Sequence, residues 1–145
     1  MAFKKNGKYF DWGSVELSLD GFVPDIQEIS YDDEVEKEAT YGLGAMPKGY
    51  GTGNYKANLK MVFLRDDYDE LQDWCKQKGV PFYKLVIDKV VINYADDGEQ
   101  IRTDVITKIT PMKRSTGPKQ GDKSVTVDVE FLVFGKIKID GQEPL

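Results

Sequence analysis

The chain has 145 residues, of which 40% are hydrophobic and 31% charged, a formal charge of −5, one cysteine and no histidine. That length predicts one ordinary domain able to bury a core without disulfides or metals, and no apolar run approaches the ~20 residues a membrane-spanning helix needs. The missing histidine removes Ser-His-Asp and Cys-His nucleophilic sites, His-ligated metals and the usual general base near neutral pH, the lone cysteine removes Cys-rich zinc sites, and an acidic balance without a basic stripe argues against a tight nucleic-acid binder.

The opening residues Met-Ala-Phe-Lys-Lys-Asn-Gly-Lys lack the apolar stretch of a secretory signal, so the expected compartment is a cytoplasm. Over residues 13–20, Val15, Leu17 and Leu19 alternate with Ser14, Glu16 and Ser18, which predicts a half-buried strand ending at Asp20-Gly21. Residues 26–40 are polar with scattered Ile29, Tyr31, Val35 and Ala39. They read as one long edge strand or as a hairpin broken at Asp32-Asp33, and the Glu and Lys content of residues 33–39 leaves a helix as the competitor.

Three signals then follow without a gap. Gly42, Gly44, Gly49, Gly51 and Gly53 make residues 42–53 a flexible loop or arm. Residues 54–64 alternate Leu59, Met61 and Phe63 against Asn58 and Lys60, then become apolar on both faces at Val62 and Leu64, as in a strand covered on two sides. Asp67 with Glu70 forms a capping box that opens a helix over residues 67–78, Gly79 and Pro81 close it, and Tyr68, Leu71, Trp74 and Cys75 share its apolar face.

Residues 82–94 are a β-branched and aromatic run whose parity changes between Leu85/Ile87 and Val90/Ile92, so a bulge or bend is expected near Asp88-Lys89. Asp96-Asp97-Gly98-Glu99 is a hairpin turn, and the return strand sets Ile101, Val105 and Ile109 against Arg102, Asp104 and Lys108. Gly117-Pro118 and Gly121 mark residues 113–122 as a mobile basic loop, and residues 124–139 form a last strand with Val125, Val127, Val129, Phe131 and Val133 inward and Leu132 and Phe134 on the other face. The fold class is therefore mainly β, a barrel or sandwich of antiparallel strands with one flanking α-helix, as a single domain over residues 1–145. Strands apolar on both faces need two layers of cover. Either the barrel closes on itself or a neighbouring subunit helps.

Candidate chemistry is sparse. Cys75 on the helix's apolar face reads as a small buried hydrophobe before it reads as a reactive thiol. Glycines 49, 51 and 53 lead into a strand rather than into a Gly-Lys-Ser/Thr helix start, so they are a turn and not a phosphate loop. Asp66, Asp67, Asp69, Glu70 and Asp73 lack calcium-loop spacing and suit a helix N-terminus. Tyr9, Phe10, Trp12, Tyr50 and Tyr55 have no basic groove beside them and suit packing better than base stacking. Asp32, Asp33, Glu34, Glu36 and Glu38 crowd one segment, and Lys113, Arg114, Lys119 and Lys123 another; these are solvated faces, or complementary patches between copies of the chain. No enzyme activity, cofactor or metal is expected.

The order Lys48-Gly49-Tyr50-Gly51-Thr52-Gly53-Asn54-Tyr55-Lys56-Ala57, then the helix at residues 67–78, then Pro81-Phe82-Tyr83-Lys84-Leu85-Val86, a charged hairpin and Val127-Asp128-Val129-Glu130-Phe131 resembles a bacteriophage tail tube protein of the contractile-tail and phage-like-particle type. The resemblance spans residues 13–139 and implies a ring-forming tail-tube fold related to type VI secretion tubes. It implies homo-oligomeric rings, hexamers by expectation, stacked into a tube in a virion tail that is assembled in the bacterial host cytoplasm. Sheath protein, baseplate and tail terminator are the implied partners, with tape measure protein and DNA transiently in the lumen and no membrane.

Under that resemblance, Phe3, Tyr9, Phe10 and Trp12 of the N-terminal segment 1–12, Met46 and Tyr50 of the glycine-rich loop, and Asp32, Asp33, Glu34, Lys113, Arg114 and Lys119 are the inter-subunit and stacking candidates. Asp88, Asp104, Asp128 and Glu130 are the lumen-lining candidates by strand parity. The rival readings are a tailocin or secretion tube, a monomeric β-sandwich binding module and a carboxylate-dependent hydrolase.

Overall fold

The alternating patterns are realised as seven strands among the described residues: β1 (Val15–Leu19), β2 (Glu28–Tyr41), β3 (Pro47–Leu64), β4 (Ile87–Tyr94), β5 (Arg102–Thr116), β6 (Thr126–Val133) and β7 (Ile137–Ile139), with one helix, α1 (Arg65–Lys78), between β3 and β4. The computed structural model describes residues 15–20, 22–94, 101–121 and 123–145. Segment 1–12, with Phe3, Tyr9, Phe10 and Trp12, and the turn at residues 96–99 lie outside the described residues. No helix among those described is long and apolar enough to cross a membrane.

All strand pairs are antiparallel and follow one another in the order β1-β4-β5-β6-β3-β2, with β7 also on β5. Side chains alternate across a strand, so one parity of each strand faces a common interior. Ala57, Leu59, Met61 and Phe63 of β3 and Val127, Val129, Phe131 and Val133 of β6 are buried there, with Val90 and Ile92 of β4 and Ile106 and Ile109 of β5. Phe63 and Phe131 are fully buried, and truncating either to alanine would cost ~3–5 kcal/mol.

The sheet curls until β2, at one end, comes against β4 and β5. The Tyr31 hydroxyl of β2 donates to the Asp104 carboxylate of β5 and bonds the Tyr94 hydroxyl of β4. One end of the barrel is covered by α1, which buries Tyr68, Leu71 and Cys75 and leaves Trp74 half-buried, stacked on Phe22 at 5.1 Å. Burial raises the Cys75 thiol above its ordinary range, as the reading of a small core hydrophobe requires.

Several boundaries move. The helix begins at Arg65 with Leu64 as its cap and no side-chain cap bond, so Asp67 is not the N-cap. Asp66 and Asp67 instead lie in the first turn, where the helix dipole favours them. Gly79 ends the helix as expected, at φ 69 with its N–H on the Cys75 and Lys76 carbonyls.

The glycine-rich stretch is a loop only up to Met46: from Pro47 it is strand, paired with β2 residue by residue. Residues 33–39 are correspondingly strand and not helix, and β2 runs through Asp32-Asp33 unbroken, with register shifts further on, between Val35 and Lys37 and between Thr40 and Tyr41. Cross-strand bonding to β3 overrides the helix preference of Glu and Lys.

Residues 82–84 are a 3-10 turn ahead of β4. The parity change near Asp88-Lys89 is present, with Ile87 and Val90 buried and the two residues between them exposed. β4 nevertheless keeps a regular register with β5, and the distortion sits opposite, at Lys108 with φ 56. The parity expected of the return strand is reversed in its first half, where Asp104 and Ile106 face inward and Ile101 is exposed, and is as expected at Ile109, which is buried beyond the distortion at Lys108.

The basic loop is shorter than expected, because β5 extends to Thr116 and carries Lys113 and Arg114 within the sheet. The last strand is broken at residues 134–136 into β6 and β7. Leu132 and Phe134, expected under a second layer, are 44% and 52% exposed. The described residues do not supply that layer.

Candidate subunit interface and channel face

Two surfaces follow from how β2 and β3 leave the barrel. β3 pairs with β6 only from Ala57 to Leu64, and over the rest of its length β2 is its only strand partner among the described residues. Residues 36–41 and 47–54 therefore form a two-stranded ribbon, every residue of which is exposed. Glycine at 49, 51 and 53 and polar residues elsewhere leave no apolar face with which such a ribbon could join the core.

The ribbon and the 42–46 loop that joins its strands carry large apolar side chains all the same. Tyr41, Leu43, Met46 and Tyr50 are 60%, 103%, 79% and 67% exposed. Internal ties are few: Lys37 lies over the Tyr50 ring at 5.4 Å, and the Asn54 N–H donates to Glu36 Oε2 at 3.4 Å. A two-stranded ribbon of this kind is at best marginally stable in water by itself.

The second surface is the outward face of β2, β3, β6 and the far half of β5, opposite the helix. Register places Ser30, Lys60, Glu130 and Lys113 in one row across the four strands, and Glu28, Val62, Asp128 and Ser115 in another. Asp32 stands opposite Asn58 and Glu34 opposite Lys56. Lys60 Nζ is 3.9 Å from Asp128 Oδ2. Lys60, Lys113, Ser115, Asp128 and Glu130 line a shallow cleft of about 230 Å³. Carboxylates outnumber lysines on this face, and each lysine has a carboxylate opposite or diagonal to it.

The predicted residues sort accordingly. Asp128 and Glu130 lie together on the polar face. Asp104 does not: it is 7% exposed, accepts from the Tyr31 hydroxyl and takes the Asp140 N–H on its other oxygen at 3.1 Å, so it cannot line a channel. Asp88 is exposed at the β4 bend, away from those rows, with its N–H donating to Asp20 Oδ2 at 2.9 Å.

Strand alternation splits the acidic run. Asp32 and Glu34 join the polar face, whereas Asp33 accepts from the Tyr55 hydroxyl at 2.8 Å. The two adjacent basic residues also part. The register shift after Pro111 turns Lys113 toward Glu130 and Arg114 to the helix side. There Arg114 donates to the Tyr68 hydroxyl at 2.7 Å and lies 4.8 Å and 5.2 Å from the Phe82 and Tyr83 ring centres. Arg114 is thus engaged within its own chain, against the expectation of an inter-subunit contact. Lys119 is exposed in the 117–121 loop, and Met46 and Tyr50 are on the ribbon.

Sequence reasoning missed the Tyr31–Tyr94–Asp104 cluster. It joins residues 63 and 73 positions apart, so no local pattern signals it. Burial and the bond to Asp104 keep Tyr31 protonated well above the usual phenol range. The cluster's polar atoms are spent on one another and on the Asp140 N–H, and among the described residues no group of carboxylates, cysteines or histidines is placed to hold a metal.

Comparisons with known proteins agree with this architecture. No family model matches the chain and no curated protein matches it. Among solved structures, a chain of the extracellular contractile injection system PVC, in its extended sheath–tube complex, is 11% identical with a TM-score of 0.66, covering 89% of each chain. A chain of the anti-feeding prophage tube-terminating cap is 9% identical with a TM-score of 0.67, covering 96% of this chain and 95% of that one. Hcp1 from Flavobacterium johnsoniae is 16% identical with a TM-score of 0.57, covering 89% and 96%. The chain has the fold of contractile tail tube-like proteins.

Proposed function

We propose that this chain, whose fold is that of contractile tail tube-like proteins, is the repeating structural subunit of a phage tail tube. Copies close into rings, hexamers by expectation, and the rings stack around a channel. Sheath protein, baseplate and tail terminator are its partners in the particle tail, and tape measure protein and then DNA occupy the channel. Assembly takes place in the bacterial host cytoplasm.

The observation that carries this reading is the ribbon of residues 36–54, which exposes Tyr41, Leu43, Met46 and Tyr50 with no core beneath it. Such apolar exposure on a marginal element is stabilised by a neighbouring copy. Phe134 needs the same cover, whereas Leu132, next along β6 from Glu130 on the same face, is the apolar end of the polar surface. The polar face that bears Asp128 and Glu130 is assigned to the channel. Duplex DNA carries one charge per ~1.7 Å, so a continuous basic lining would bind it along the whole tube, and a face of interleaved charge with an acidic excess avoids that.

The likeness to injection-system and type VI secretion chains supports a second reading, the same tube in a tailocin or secretion machine with a different cargo. Both readings assign a structural role. Negative-stain microscopy of the purified protein together with its molar mass in solution is the test. Rings or tubes, with protection of ribbon amides from exchange on assembly, are expected. A monomer at every concentration would overturn both and favour a β-sandwich binding module.

A further inference from the structure

β6 is paired on both edges, with β3 on one side and β5 on the other, until Ala57↔Val133. Beyond that point β3 enters the ribbon, while the chain after β6 returns to β5 as β7, through Asp104↔Ile139 and Ile106↔Ile137. No strand is recorded along the other edge of β7 among the described residues. Two of its amides point that way, and each is met by a substitute partner. The Ile137 N–H donates to the Tyr55 hydroxyl at 3.0 Å. The Ile139 N–H donates to the Gln142 carbonyl at 3.3 Å, and the Gln142 N–H returns the bond at 3.0 Å.

That return is made by a tight turn. Asp140 and Gly141 have φ of 52 and 82, the paired left-handed residues of a two-residue hairpin turn for which Asp-Gly is a preferred sequence. Side chains hold the segment down. Glu143 is ion-paired with Lys136 and, at 3.2 Å, with Lys138, while Asp140 is paired with Arg102. Pro144 has no N–H, so this short return strand has no ladder bond to donate from that position. Exposed ion pairs are individually weak, and Leu145 beyond them is 82% exposed.

We propose that residues 140–145 are a displaceable strap on a strand-accepting edge: in the free subunit they cover the outer edge of β7, and on assembly they give way to a strand of a second copy. A single bridge, one phenol, two exposed lysine pairs and the two ties of Asp140, to Arg102 and to the Asp104 carboxylate, hold the edge closed firmly enough to stop stray pairing, the standard hazard of an open edge. They do not extend into a ladder that a partner would be unable to replace. The inference rests on the tube reading, since it needs a second copy that adds a strand.

The test uses full-length protein, with assembly followed by light scattering. Glu143→Lys removes both ion pairs and sets a third cation beside Lys136 and Lys138, and Gly141→Val puts a β-branched residue at a left-handed φ. With f the fraction of subunits whose edge is open, raising f lowers the concentration needed for pairing in proportion. Both variants are therefore expected to shorten the lag by about threefold or more, with circular dichroism confirming that they are folded.

Hydrogen exchange on the wild-type protein gives an independent reading. In assembled tubes the Gln142 amide loses protection while those of Ile137 and Ile139 gain it. Wild-type tubes that form with Gln142 still protected, or two folded variants with unchanged or longer lag, overturn the strap and leave the tube reading standing. A wild-type protein that never assembles overturns both.

Discussion

Gly135 lies at the break between β6 and β7, and replacing it with alanine should be among the most damaging conservative changes in the chain. A Cβ at this position would lie 2.3 Å from the Thr107 carbonyl oxygen, 2.4 Å from Thr107 Oγ1 and 2.8 Å from the Thr107 carbonyl carbon, whereas ordinary contact begins at 3.4 Å. Two of these atoms are backbone of β5, which is itself held at this position by Lys89 of β4. Relief requires β7 to retreat by roughly an ångström, and overpacking of this kind costs ~1–3 kcal/mol.

Retreat also stretches the bond from the Thr107 N–H to the Lys136 carbonyl at 3.0 Å and that from the Lys136 N–H to Thr107 Oγ1 at 3.0 Å, each worth ~1 kcal/mol net. The expected loss is ~2–4 kcal/mol, or a fall in melting temperature of about 10 °C for a domain of this size. Urea unfolding of the dilute monomer, followed by circular dichroism, measures it. Gly49→Ala is the control, because nothing lies within 4 Å of its Cβ position, and it should stay within ~0.5 kcal/mol of the parent. A Gly135→Ala protein as stable as that control would refute the account of how β7 meets β5.

Lys113 and Arg114 are adjacent but should respond differently. Arg114→Ala loses the Tyr68 bond and the stacking on Phe82 and Tyr83 and should cost ~1–2 kcal/mol in monomer unfolding. Lys113→Glu should leave the monomer within ~0.5 kcal/mol while lengthening the assembly lag; equal effects of the two on monomer stability would sink the assignment of opposite faces. Tyr31 has a phenol pKa raised in the fold by burial and then by Asp104. Above the ordinary phenol range the unfolded chain therefore releases a proton that the native one keeps, and stability, complete below that range, falls as pH rises through it. Tyr55 is raised as well, first by burial, so the native protein should show a phenolate deficit against the denatured protein in an alkaline absorbance titration that Tyr31→Phe reduces by one without abolishing it; a deficit unchanged by Tyr31→Phe would count against the buried cluster.

How far local sequence carries can be seen in particular elements. The helix face of Tyr68, Leu71 and Cys75, its end at Gly79, the inward parity of β3 and β6 and the parity change at Asp88-Lys89 were all legible, because periodicity and turn chemistry act over a few residues. The ribbon reads as loop from sequence because glycine content describes what a backbone permits, whereas pairing with β2, set by partners up to tens of residues away, determines what it does. Polarity alone points Asp104 outward, but its partners, the Tyr31 hydroxyl and the Asp140 N–H, become neighbours only in the folded sheet. Lys113 and Arg114 were treated as one patch, since a register shift at Pro111 leaves no clear mark in composition.

The sequence alone determined the class of the molecule, an antiparallel β domain with one helix and without histidine chemistry, because hydrophobic alternation and residue inventory are properties of the chain itself. Only the tertiary structure decided which polar residues share a face, which are spent inside the barrel and which edges stay open. Those depend on register and curl, where a shift of one residue carries a side chain from core to solvent at little local cost.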